Sequence, residues 1–102
     1  MKGQNIPMSR LKRNKDILTV ILNHPTLRKP IISKADKDLI TCFSDIARNI
    51  HTLELTAAEK RDLSSIGKLI KSLHKPKRSI LIKNYKILHK LIEPVLRHYA
   101  DI

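Results

Sequence analysis

Aromatic side chains are nearly missing from this chain: Phe43, Tyr85 and Tyr99 make up 3% of it, and there is no tryptophan. So few rings leave little with which to stack exposed bases, and they disfavour a strand-rich sandwich, whose pleated faces suit aromatic and β-branched residues. Two glycines, Gly3 and Gly67, cannot build a phosphate-cradling loop. A single cysteine, Cys42, excludes an internal disulfide and fits a reducing compartment. No apolar run reaches membrane-spanning length, and Met1 to Arg10 lack the apolar stretch of a signal peptide. With no Asn-x-Ser/Thr sequon, the expected setting is inside a cell or a particle assembled there.

Acid is scarce too, above all in one place. Between Lys60 and Lys90 stand ten Lys/Arg and one acid, Asp62, so most of the net charge of +12 arises there. Such an excess draws polyanions in. The 102 residues are 41% hydrophobic, mainly Ile and Leu, which suits one small domain with a modest aliphatic core.

The apolar residues keep helical periods. Residues 1–9 have none, and read as a flexible basic arm ahead of a single helical domain over 10–102. Ser9 can cap a first helix to about Asn23, with Leu11, Leu18, Ile21 and Leu22 inward. His24-Pro25 ends it, and Pro25 suits the first turn of a short helix to about Ile32, which Pro30 strains. Leu39, Phe43, Ile46 and Ile50 stripe a helix over Ala35–His51, with Asp36 and Asp38 at its positive end. Leu53 and Leu55 tuck a connector inward. Thr56-Ala57-Ala58-Glu59 is a capping box opening a third long helix, with Leu63, Ile66, Ile70 and Leu73 inward.

Pro76 stops that helix, and Ser79 can cap the last one. Along it Leu81, Tyr85, Leu88, Ile92, Val95 and Tyr99 repeat at alternating spacings of four and three, a knobs-into-holes seam. Ile80, Ile87 and Leu91 widen this stripe, and Pro94 should kink the helix near Lys90. The expected fold is all-α: a compact bundle of four helices, or five counting the short one.

Two surfaces stand out. Arg61, Lys68, Lys71, Lys75, Lys77, Arg78, Lys83, Lys86 and Lys90 form a candidate phosphate-contacting face, with Arg10, Lys12, Arg13 and Lys15 adding contacts. Solvated lysines coat most helices, but usually with acids interspersed. Lysine as a point charge suits backbone contact better than bidentate base reading, so the expectation is sequence-tolerant, salt-sensitive binding, to DNA before RNA. The second surface is the seam Leu81, Tyr85, Leu88, Ile92, Val95, Tyr99. It is either the protein's own core or an interface for a second copy or another protein. A basic amphipathic helix can also lie on an anionic bilayer, the third and weakest reading.

Chemistry finds little support. His24, His51, His74, His89, His98 and Cys42 lack the short paired spacing of zinc ligands, and Cys42 lies beside a buried stripe, a poor place for a nucleophile. Asp36 and Asp38 diverge on a helix and make no catalytic pair. No enzyme, metal or cofactor is expected. Lys75-Pro76-Lys77-Arg78 also reads as a nuclear-import type cluster, and Ser79 after it as a phosphorylation candidate, with helix capping its plainer role.

One run carries a resemblance. Ala35-Asp36-Lys37-Asp38-Leu39-Ile40, then Cys42 and the turn into Thr52–Thr56, resembles a small basic protein of Polinton/Maverick transposons and the related adintoviruses of animals. The similarity continues through the Lys/Leu-rich third helix to Leu91-Ile92-Glu93-Pro94-Val95-Leu96, which looks like that family's Leu-rich, Pro-containing tail. His24-Pro25 and Arg28-Lys29 also fit, so the likeness spans about Ile17 to Leu96. Members often have a glycine where this chain has Thr52-Leu53-Glu54, and a Gly-Gly protease-type site where Lys83-Asn84 stand, so capsid-type processing is not expected. The resemblance implies a viral or transposon accessory protein that condenses the element's DNA, in a host nucleus or virion core, with a viral protein as a further partner.

Overall fold

The helices outnumber those the periodicity predicts, because two of the long periodic stretches are broken. A computed structural model describes residues 6–100, and these are all-α, with no strand among them. Seven α-helices follow one another: α1 Met8–Asn23, α2 Arg28–Ser33, α3 Lys37–Asn49, α4 Ala57–Ser65, α5 Gly67–Ser72, α6 Arg78–Lys83 and α7 His89–His98. Short 3-10 turns at Pro25–Leu27 and Ile50–Thr52 lead into α2 and out of α3.

The first helix starts earlier than Ser9. Pro7 takes the cap position, with no side-chain cap bond, and Ser9 lies exposed inside the helix. Ile6 is 1% exposed, so the expected arm of residues 1–9 is not one at its inner end; residues 1–5 lie outside the described residues. His24 closes the helix with its N–H on the Val20 carbonyl. The Arg28 guanidinium donates to the Ile21 and Leu22 carbonyls at 2.6 and 2.8 Å, satisfying acceptors that a helix end leaves open. Pro30 does not strain α2. It falls in the first turn, where its missing N–H has no helical partner to lose.

The third expected helix splits at Ile66. Here the Ser65 hydroxyl donates to the Asp62 carbonyl at 2.6 Å, an alternative to the helical ladder, and Gly67 is the poorest helix former after proline. Ile66 leaves helical geometry at φ −116°, ψ 24° and still buries its side chain. The last expected helix splits as well, at residues 84–88, upstream of the kink expected near Lys90. Asn84 turns its own amide onto the Ile80 carbonyl at 2.8 Å, and tighter i→i+3 bonds carry the chain to α7. Pro94 lies buried within α7, which continues past it. Nor does Ser79 cap α6: the cap position is Lys77, with no side-chain bond.

Helix α7 is the hub, packing against α1, α3 and α4. Helix α6 packs on α2, and α5 on α3. The buried stripes join in one core, with Phe43 the largest of its fully buried side chains. A radius of gyration of 12.5 Å matches the roughly 13 Å of a folded domain this long.

Candidate nucleic-acid interface

The arginines and the lysines do different jobs. Six of the seven arginines donate to the protein itself. Arg10 bonds Asp45 at 2.7 Å and Asp38 at 3.4 Å, and Arg13 reaches both Asp38 oxygens at 2.8 and 3.3 Å. Asn14, buried in α1, completes this knot with a 2.9 Å bond to Asp38. The Arg13 and Asn14 hydrogen bonds hold the Asp38 carboxyl down to about 2. Arg97 grips Glu59, Arg28 closes α1, Arg48 donates to the His74 carbonyl, and Arg78 donates to the Ala35 carbonyl at 2.6 and 3.0 Å.

Arg10, Arg13 and Arg78, expected on the phosphate-contacting face, are thus engaged within the protein. Their charge is matched by carboxylates or their donors are turned onto backbone oxygens. The planar five-donor fork suits such fixed geometry, whereas lysine holds only a mobile point charge. Lys15 is half-buried and donates to the Ala100 carbonyl at 3.4 Å. Lys12 remains exposed.

The lysines of the basic segment face outward. Lys60, Lys68, Lys71, Lys75, Lys77, Lys83 and Lys86 are exposed, as is Arg61. Lys90 is half-buried, its Nζ 3.4 Å from the Ser65 hydroxyl. Among the described residues the salt bridges of Asp38, Asp45 and Glu59 go to Arg10, Arg13 and Arg97, and no lysine from Lys60 to Lys90 takes part in one. Asp36 is occupied elsewhere, accepting from the Leu39 N–H as the cap of α3. Asp38, Asp45 and Glu59 thus pair with arginines, and among the described residues no salt bridge engages the lysines of this segment.

Sequence reasoning did not foresee that cations of α2 come to lie beside the α6–α7 region. Helix α6 packs on it, and Lys29 Nζ lies 5.9 Å from the Tyr85 ring centre, in cation–π range. Lys29 and Lys34 are both exposed. No spacing in the sequence links them to α6, so only their charge could have drawn notice.

The seam is occupied by the protein itself. Leu81, Leu88, Ile92 and Val95 have no exposed surface, and Tyr85 and Tyr99 pack half-buried against the same core. Leu91 is also fully buried, while Ile80 and Ile87 line its edge. An interface built on this face would require the folded core to open. Burial likewise pushes the Cys42 thiol up to about 12, so at neutral pH it is protonated and poorly nucleophilic.

An open groove of about 740 Å³ lies between the 53–55 connector and the α4–α5 junction, lined by His51, Leu53, Lys60, Leu63, Gly67 and Ile70 among others. A smaller, mostly apolar hollow of about 400 Å³ is framed by Ile17, Pro30, Ile31 and Leu39. No helix among the described residues is long and apolar enough to cross a membrane. Comparison with protein-family models, with curated proteins and with solved structures finds no match.

Proposed function

We propose that this chain is a non-enzymatic protein that binds nucleic acid, DNA before RNA, through backbone phosphates with little regard to sequence. The single observation carrying the reading is the sorting of charge: Asp38, Asp45 and Glu59 pair with arginines, while the lysines from Lys60 to Lys86 stay exposed and, among the described residues, none from Lys60 to Lys90 enters a salt bridge. Such a surface releases counterions from phosphates and lacks the bidentate groups that read base edges. The contacting residues are then Arg61, Lys68, Lys71, Lys75, Lys77, Lys83, Lys86 and Lys90.

Together with the resemblance to the small basic protein of Polinton/Maverick transposons and adintoviruses, this reading makes the chain an accessory protein that condenses a viral or transposon-type genome in a host nucleus or virion core. Lys75 and Lys77 are exposed as an import-type cluster requires, although Arg78 is anchored on Ala35. The adaptor role built on the last-helix seam is not carried forward, since that face is interior.

Fluorescence anisotropy with duplex DNA over a salt series tests the proposal. Contact with about five phosphates gives a log–log slope between about −4 and −5, the same for unrelated sequences. Absence of binding at low salt, or affinity indifferent to salt, overturns it.

A further inference from the structure

Two basic regions distant in sequence meet at the start of α7. On one side, Lys29 of α2 lies over the ring of Tyr85, which sits in the 84–88 link beside the exposed Lys86. On the other side, Lys90 in the first turn of α7 brings its Nζ to 3.4 Å from the hydroxyl of Ser65, which ends α4 shortly before Lys68 in the first turn of α5. Between them stands His89. Its imidazole is pushed below its ordinary value first by burial, then by the positive charges of Arg28 and Lys90, with a ring hydrogen bond to the Lys86 backbone and the charge of Glu93 acting the other way. Cations of α2 and of α7 thus act on one ring. The two basic regions are neighbours in space.

We infer that a continuous cationic band, running from Lys29 through Lys86 and Lys90 to Lys68, is the track along which a phosphodiester backbone is held, so that α2 belongs to the binding site. This rests on the nucleic-acid reading above and extends it to a helix outside the charge-rich segment. A track crossing four elements gives successive phosphates separate cations on a rigid frame, which a single helix face cannot do over the same length. It also explains why one tyrosine is set half-buried between α2 and the link: its ring face holds the Lys29 ammonium at the surface.

The test compares Lys29→Gln, Lys68→Gln and the off-band control Lys37→Gln, an exposed lysine of α3, with the unmodified protein, on a duplex DNA and on vesicles of phosphatidylserine and phosphatidylcholine. One lost phosphate contact lowers affinity by roughly tenfold at about 0.1 M salt and flattens the salt slope by about one. Lys29→Gln and Lys68→Gln should each do this, Lys29→Arg should restore binding, and Lys37→Gln should change nothing. If Lys68→Gln weakens binding while Lys29→Gln matches the control, the band is refuted and the nucleic-acid reading survives. If the unmodified protein binds the vesicles and ignores the duplex, both fall. NMR titration of His89 in the unmodified protein gives a readout free of folding effects. Phosphates laid along the band must raise its pKa, and an unmoved value in the saturated complex overturns the inference.

Discussion

Arg97 holds Glu59 by both oxygens, Nε to Oε2 at 2.9 Å and Nη2 to Oε1 at 2.8 Å, and so fastens the end of α7 to the first turn of α4. The same Glu59 accepts the Thr56 backbone N–H at 2.9 Å, while the Thr56 hydroxyl accepts from the Glu59 N–H at 3.1 Å. A third Arg97 bond reaches the Glu54 carbonyl at 2.9 Å. A local capping box is thereby built into a tertiary clamp. Thr56→Ala should cost about 1 kcal/mol, the usual worth of a side-chain cap, read as a lower midpoint in urea. Arg97→Ala should destabilise in the same direction, and a double variant should show less than the sum of the two losses because both act through Glu59.

The acid limb of stability follows from two carboxylates. Asp38 is held down to about 2 by Arg13 and Asn14, and Glu59 to about 2 by Arg97 and the Thr56 backbone N–H. In the unfolded chain both return to about 4, so the unfolded state takes up protons first as pH falls. Their stabilisation is present in full above about pH 4 and is lost as pH drops towards about 2. Thermal melts across this window should show the decline, and Asp38→Asn should lower the plateau and flatten its slope.

The interior seam predicts unfolding instead of dissociation. Ile92 has no exposed surface. Ile92→Ala should cost about 2–5 kcal/mol, a buried aliphatic replaced by a cavity. Light scattering before and after the substitution should show no change in mass at native pH. A loss of mass with an intact helical spectrum would instead mark the seam as an interface.

Gly67 offers a gain. A Cβ added there meets nothing within 4 Å, and its φ is not in the left-handed region. Gly67→Ala should therefore stabilise by up to about 1 kcal/mol, through helix propensity and a less disordered unfolded chain. Its urea midpoint should rise, with the slope unchanged.

Much of the secondary structure was legible because its causes are local. The Thr56 capping box, the stop at His24-Pro25, the acids Asp36 and Asp38 at the start of α3 and the buried stripe from Leu39 to Ile50 all depend on neighbours within a turn or two. The breaks at Ile66 and Asn84 were not legible, since the apolar period runs straight through both. What ends those helices is a polar side chain returning to a carbonyl, Ser65 to Asp62 and Asn84 to Ile80, a choice that periodicity does not record.

From the sequence alone came the all-α class, the stripes that became the core, and the excess of positive charge between Lys60 and Lys90. Hydrophobic spacing and net charge suffice for those, because each is a property of single residues or of one helix turn. Only the tertiary structure decided which cations are available. Arg10 finds Asp38 across 28 residues and Arg78 finds Ala35 across 43, while Lys29 comes to rest over Tyr85. A charge is neutralised by whatever lies within a few ångströms, and that neighbour is set by packing, not by order along the chain.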